Sequence, residues 1–128
     1  MEREMRKHPQ VNIDTEHCFH AGMYARTIVI PANTALTGVL IKIPTLLIVE
    51  GSVWVTIGDE VRLIMGYEVI PCAANRKTAY MTRCETRVTM IFTTRAETVE
   101  AAESEFTDEP DLLMTRRNLG TQKLIKGD

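Results

Sequence analysis

Two arginines and two tyrosines have side chains that suit the binding of an anion. Tyr24 and Arg26 are two residues apart, so they share one face of an extended strand. Arg76 directly precedes a later predicted strand, Lys77–Thr82, and Tyr80 lies on one face of that strand. A guanidinium fits carboxylate or phosphate, and a tyrosine or the single tryptophan, Trp54, can stack on a base or a sugar. These five residues predict a site for a small anionic ligand, for example a nucleotide-like one; alternatively, the aromatics fill the core and the arginines pair with outer glutamates.

The histidines near the amino end offer a second candidate for chemistry. His17 and His20 enclose Cys18, and on a helix two histidines at this spacing would share one face and could bind a metal ion. In an extended segment they point to opposite faces, and no third and fourth ligand is evident in the sequence. We therefore predict no metal site here, and a ligand-contacting or pH-sensitive role for either histidine is the better interpretation.

Motifs for covalent or phosphoryl-transfer chemistry are absent from the sequence. Ser52 lies in a predicted turn and Ser104 in an acidic segment, and neither a G-x-S-x-G elbow nor a P-loop occurs. The carboxylates of the strand region stand mostly at strand ends or turns, where they usually serve solubility. No catalytic residue is predicted, and the residues favour binding over catalysis.

Composition restricts the class of protein. The 128 residues, 45% hydrophobic and 25% charged, are enough for one globular domain. The net charge of -2 predicts no long nucleic acid as a partner. No apolar run is long enough for a signal segment or a bilayer span, and three cysteines without a C-x-x-C pair fit a reducing compartment. We expect a cytoplasmic protein with no membrane partner.

Short runs rich in β-branched residues follow one another through the middle of the chain, which is typical of an all-β sandwich or barrel. The runs are Thr27–Ile30, Val39–Ile43, Leu46–Val49, Val53–Ile57, Val61–Ile64, Lys77–Thr82 and Arg87–Thr93. Turn residues separate them at Pro31–Asn33, Gly51, Gly58-Asp59 and Pro71. The turn at Gly58 predicts a hairpin that pairs the strand of Trp54 with the strand of Leu63.

The pattern changes after the last of these runs. Residues 97–106 are rich in alanine and glutamate, with Val99, Ala102 and Phe106 at helical spacing, which predicts one short amphipathic helix. The predicted organisation is an N-terminal arm at residues 1–22, a β-barrel at 23–94, and an acidic helix with a C-terminal tail at 95–128. The tail is either loose at the surface or docked on a partner subunit.

Three segments carry a resemblance to a known family. Their order resembles that of the strands and turns of the cupin superfamily, and the segments are Pro31-Ala-Asn-Thr34, Leu47–Gly58 and Gly66–Arg76. The arrangement from His17 through Arg26 to the terminal helix is similar to small cupin-like proteins of tailed bacteriophages. The resemblance implies a double-stranded β-helix, also called a jelly-roll barrel, with a pocket between its sheets and assembly as a homo-oligomer, a dimer or higher. A fold of this kind does not by itself imply a function.

The positions where metal-binding cupins carry their ligands are occupied here by other residues. No histidine, carboxylate or cysteine occurs at these positions, which are Gly38–Ile41, Pro44 or Thr45, and Thr89–Thr93 with Phe92. Because a divalent ion gives up its water only for such donors, the sequence predicts no metal and no other cofactor in the barrel.

We therefore predict a metal-free, phage-type cupin that binds a small anionic ligand through Tyr24, Arg26, Trp54, Arg76 and Tyr80. Such a protein would sequester its ligand in the cytoplasm of the host. Two alternatives stay open. One is a structural or assembly module of a phage particle or oligomer. The other is a metal-independent epimerase or isomerase in which a histidine and a tyrosine act as base and acid.

Overall fold

The chain folds mostly into β-strands. A computed structural model describes residues 12–113, 115–116 and 120–127. Its elements are β1 Asp14–His20, β2 Met23–Ile30, β3 Ala35–Thr37, β4 Thr45–Ile57, β5 Glu60–Cys72, β6 Thr78–Thr82, β7 Thr86–Thr93, α1 Val99–Phe106, a 3-10 turn Pro110–Leu112, and β8 Gln122–Lys126. The predicted all-β class with one short C-terminal helix is confirmed. None of the helices in these ranges is both long and apolar enough to cross a bilayer.

One curled sheet joins the strands in the order β3-β6-β4-β7-β2-β1-β8, and β5 adds to β4 outside this path. The central strand β4 is 13 residues long. It pairs with β5 along its whole length, with β7 through its first half and with β6 through its second half. Because β4 changes neighbours along its length, the sheet curls around one core. The predicted hairpin is confirmed, since Trp54 pairs with Leu63.

The turn predicted at Gly51 is wrong, because this glycine lies inside β4, between the residues that pair with β7 and those that pair with β6. Its φ is 151°, and a Cβ added there would lie 2.5 Å from the Thr86 Oγ1 atom. Glycine is needed because the backbone of β4 passes close to Thr86 where the strand changes its neighbour.

Two other sequence assignments differ from the structure. The segment Val39–Ile43, predicted as a strand, contributes only an isolated bridge between Ile41 and Arg76. Pro71, predicted as a turn, lies within β5 and pairs with Leu46. Proline is tolerated there because β5 is an edge strand, on which a missing N–H need not break a ladder.

Both ends of the described chain join the same edge of the sheet. Residues 14–20, assigned from sequence to the N-terminal arm, form β1, which pairs antiparallel with β2. Residues 122–126 of the predicted tail form β8, which runs parallel to β1. The predicted boundary after residue 22 falls in the turn between β1 and β2, and residues 1–11 of the arm lie outside the described ranges.

Helix α1 packs against the core through a face that also buries a charge. The Thr98 side chain caps the helix by accepting a hydrogen bond from the Ala101 N–H. Ala102, Glu103 and Phe106 are its buried residues. The strands contribute the rest of the core, which includes Tyr24, Ile30, Leu47, Val49, Val53, Val55, Ile64, Ile70, Tyr80, Val88, Met90 and Phe92. A buried glutamate in such surroundings requires a partner.

Candidate functional site

A cavity of about 140 Å³ lies between the inner face of the sheet and the segment that follows α1. Its wall is mainly apolar and includes Ile13, Ile28, Leu36, Val39, Ile41, Leu47, Val88, Met90, Phe106, Leu112 and Leu113. Its polar side chains are those of Arg26, Thr37, Arg76, Thr78 and Tyr80. Thr37 and Leu112 are exposed residues, so they mark the side on which the cavity meets solvent.

Arg76 is a buried cation at the wall of this cavity, with 6% of its surface exposed. Its NH1 group donates to the carbonyls of Ile43 and Ala73, each at 3.0 Å, and its NH2 group donates to the Thr45 hydroxyl. Its Nε atom is buried and has no hydrogen-bond partner within the described residues. All of these acceptors are neutral, so the Arg76 charge is oriented by its surroundings without being neutralised by them.

Tyr80 adds a second donor to the same cavity. Burial raises the pKa of its phenol, so the hydroxyl keeps its proton at physiological pH. Thr78 precedes it by two residues on the same face of β6 and also lines the cavity. Guanidinium and hydroxyl donors set in an apolar wall form an environment that suits one small polar group on an otherwise apolar molecule.

The charge of Arg26 is compensated within the chain. Its NH1 group lies 2.8 Å from a carboxylate oxygen of Glu103, which is fully buried. Arg116 reaches the other oxygen of that carboxylate at 2.7 Å, and the Thr115 hydroxyl donates a hydrogen bond to the same oxygen as Arg26. Burial alone would raise the pKa of Glu103, but the hydrogen bonds from Thr115 and Arg116 and the charge of Arg26 hold it below its ordinary value. Arg26 therefore joins β2 to α1, and its partner is a buried glutamate, not one of the outer glutamates that the alternative interpretation of the sequence named.

His17 and Tyr24 form a buried pair beside Arg26. The His17 Nδ1 atom and the Tyr24 hydroxyl are 2.7 Å apart, and the His17 Nε2 atom lies 2.7 Å from the Gln122 side-chain oxygen. Arg26 donates to the Tyr24 hydroxyl at 3.3 Å, which leaves that hydroxyl to donate to Nδ1 and the Nε2–H to donate to Gln122. Burial lowers the pKa of His17, which favours this neutral imidazole. Neither His17 nor Tyr24 lines the cavity, so this acid and base pair does not face the cavity that Arg76 lines.

The five predicted binding residues are thus divided by the fold. Arg26, Arg76 and Tyr80 line one cavity. Tyr24 lies outside its lining, and its hydroxyl accepts a hydrogen bond from Arg26. Trp54 lies on the opposite, outward face of β4 and is 45% exposed. Its neighbours along the strand, two valines, point into the core, and strict alternation sends the tryptophan outward.

Glu103 is the residue of this region that the sequence interpretation missed. The sequence places it in the acidic helix without a role of its own, although it stands four residues after Val99 and three before Phe106, on the face that those apolar residues define. That spacing is the signal that could have identified it.

The positions of absent metal ligands have structural roles of their own. Thr45 accepts the Arg76 hydrogen bond, and Phe92 packs edge-on against Tyr24 and Phe106 at centroid distances of 5.4 and 6.0 Å. Ile41 forms the bridge to Arg76. Across the ranges that the structure covers, no three or more histidine, cysteine, aspartate or glutamate side chains are grouped so as to hold a metal ion.

Comparison with known proteins identifies solved structures with a similar fold. No protein-family model and no curated protein matches the chain. The cupin domain of Cnp3 from Schizosaccharomyces pombe is similar with a TM-score of 0.53 and 16% identity, over 80% of this chain and 80% of that chain. A cupin-2 domain protein from Shewanella frigidimarina has a TM-score of 0.50 and 10% identity, over 72% of this chain and 90% of that chain. The plu4264 protein from Photorhabdus luminescens has a TM-score of 0.50 and 13% identity, over 77% and 73%. The predicted cupin-like fold is confirmed.

Proposed function

We propose that this cupin-fold protein binds a small, largely apolar organic acid in the cavity beside Arg76. The observation that carries the proposal is a buried guanidinium that lines a cavity, has no ion-pair partner among the described residues, and leaves its Nε–H without an acceptor. A buried charge is costly unless a counter-charge and hydrogen bonds compensate it. The carboxylate of a ligand would supply both.

The size of the cavity restricts the ligand. Its volume of about 140 Å³ is close to that of an engineered cavity of about 150 Å³ that holds benzene. This supports an acid the size of benzoate or hexanoate over the nucleotide-like ligand expected from sequence. The aliphatic wall would contact the hydrocarbon part, while Arg76 and Tyr80 donate to the carboxylate.

In this proposal N–H and O–H donors of the protein bind the ligand, and no metal ion is required. Ile41, Thr45 and Phe92, at the positions discussed above, offer no imidazole, carboxylate or thiolate to a metal ion. A phage origin, a sequestering role and an assembly role stay predictions from the sequence. We do not propose an epimerase, since His17 and Tyr24 lie outside the lining of the cavity.

The test compares acids with neutral molecules of the same shape. Thermal unfolding and calorimetric titration are measured with benzoate and hexanoate and with benzamide and hexanamide. The acids should stabilise the protein in a saturable way, by about 2.7 kcal/mol at a concentration 100 times Kd. The amides should bind at least about tenfold more weakly, because they cannot neutralise Arg76.

Arg76→Lys is the informative variant, since it keeps the charge but removes the planar fork and the Nε–H. It should weaken benzoate binding by about tenfold or more. Arg87→Lys, at an exposed position on the outward side of β7, is the matched control and should bind as the wild type does. The proposal fails if neither acid stabilises the protein, or if the Arg76→Lys protein binds benzoate as tightly as the control.

A further inference from the structure

Two arginines line the cavity, and the fold compensates the charge of only one of them. Arg26 and Arg76 both belong to the lining. Arg26 has a buried counter-charge, since its NH1 group lies 2.8 Å from a carboxylate oxygen of Glu103. The acceptors that Arg76 has among the described residues are all neutral. The wall of the cavity therefore carries one neutralised cation and one cation without a counter-charge.

The two arginines belong to different parts of this wall. Arg26 of β2 is the register partner of Met90, which pairs with Leu47 of β4, so the Arg26 backbone lies two strand spacings, about 10 Å, from Leu47. The Arg76 NH2 group donates to Thr45, two residues before Leu47 on β4. Because the cavity is close in volume to a small acid, the far end of an acid bound at Arg76 lies in the part of the cavity that Arg26 borders.

Glu103 controls the charge at that far end of the cavity. The Arg26 Cζ atom lies 5.5 Å from the centre of the Phe106 ring, which also lines the cavity. Glu103 is fully buried and is not part of the lining. Arg116 contacts its second carboxylate oxygen, but Arg116 is 27% exposed, so water screens the charge of its guanidinium. The charge that a ligand meets beside Arg26 therefore depends on Glu103.

We propose that Glu103 determines the specificity of this site: by neutralising Arg26, it restricts the cavity to acids with a single carboxylate. This inference rests on the proposed binding of an organic acid beside Arg76. A second carboxylate at the far end of the ligand would leave water without a free cation to pair with, which is costly. Without the charge of Glu103, Arg26 would be a free cation, and the cavity would offer one guanidinium to each carboxylate of a dicarboxylic acid.

Three acids of equal chain length test the specificity of the wild-type protein. They are hexanoate, adipate, which has a carboxylate at each end, and the monoamide of adipate, which has the shape of adipate but a single charge. In calorimetric titrations the monoamide should bind at least about tenfold more tightly than adipate, because only adipate buries a second charge. Adipate that binds as tightly as its monoamide overturns the inference and leaves the proposed function standing. If none of the three acids binds, the proposed function fails, and this inference fails with it.

Substitutions test the role of Glu103 through the ratio of the adipate and monoamide affinities. Glu103→Gln should shift this ratio towards adipate by about tenfold or more, because Arg26 is then free to pair with the second carboxylate. Glu100→Gln, at an exposed position of the same helix, is the matched control and should keep the wild-type ratio.

A double variant separates charge from packing. Arg26→Met combined with Glu103→Met replaces the whole ion pair by apolar side chains and should again favour the monoamide, because no free cation remains at that end of the cavity. Circular dichroism melts verify that each variant is folded, and the comparison of the three acids on the wild type needs no variant. A purely structural role of Glu103 would weaken all three acids together, so an unchanged affinity ratio in folded Glu103→Gln protein overturns the inference.

Discussion

Replacing Glu103 by glutamine perturbs the contact that joins helix α1 and the segment after it to the sheet. The Glu103 carboxylate is fully buried and lies between the side chains of Arg26 and Arg116. Glutamine preserves the size of the side chain and one acceptor oxygen but removes the negative charge. The Arg26 side chain, of which 9% is exposed, would then be a buried cation without a counter-charge. Loss of one partner from a buried ion pair costs about 3–5 kcal/mol.

The lower end of that range is expected for Glu103→Gln. Arg116 is 27% exposed, so water replaces part of what its guanidinium loses, and the new amide oxygen can still accept one hydrogen bond. A loss of about 3 kcal/mol in the free energy of unfolding corresponds to a decrease of roughly 10 °C in Tm for a domain of this size.

Urea unfolding of the wild type and the variant at pH 7 gives the measurement. Glu100→Gln is the matched control, because Glu100 is an exposed acid in the first turn of the same helix. Its loss should stay under about 1 kcal/mol, the usual contribution of an acid near a helix N-terminus. If Glu103→Gln costs no more than Glu100→Gln, the account of a buried ion pair at this position is refuted.

Three further outcomes follow from the same structure. Burial lowers the pKa of His17 below its ordinary 6.5, so the contribution of His17 to the free energy of unfolding should be fully present above pH 6.5 and should fall as the pH drops from there through the lowered pKa. His17→Gln should make the free energy of unfolding, measured by urea titration, less dependent on pH in this range. An unchanged pH dependence in the variant would contradict this. Gly51→Ala should destabilise the protein by about 2 kcal/mol or more, because the new Cβ would lie 2.5 Å from the Thr86 side chain. Gly58→Ala, which places its Cβ in open space, should cost about 1 kcal/mol. Equal losses of stability in thermal melts of the two variants would contradict this. Burial raises the pKa of the Cys72 thiol, so a thiol reagent at pH 7.5 should label exposed Cys84 first, and mass spectrometry that finds Cys72 modified faster would be inconsistent with its burial.

The alternation of side chains made part of the site predictable. Tyr24 with Arg26, and Thr78 with Tyr80, lie on the inner face as expected, because a strand has a period of two residues whatever its tertiary partners are. The same rule, applied through the two valines beside it, would have placed Trp54 outward.

Other features depend on contacts between distant parts of the chain. A glycine such as Gly51 is expected both in a turn and in a strand whose backbone passes close to another chain segment. Only the close approach of Gly51 to Thr86 in the folded structure distinguishes the two cases. Arg26 and Glu103 are 77 positions apart, so the sequence did not show that the buried acid neutralises one arginine and leaves Arg76 without a partner. The cavity volume, which restricts the ligand, is likewise a property of the packed core.

The state of the Arg76 Nε–H group is the most direct test of the proposed binding of an organic acid. In protein labelled with ¹⁵N-arginine, its resonance is assigned by its loss in Arg76→Lys and followed during titration with benzoate. A carboxylate bound beside the guanidinium should shift this resonance in a saturable way, while the exposed Arg87 signal stays in place. An Arg76 signal that does not move at benzoate concentrations up to about 10 mM, which corresponds to binding weaker than about 3 kcal/mol, would contradict the account.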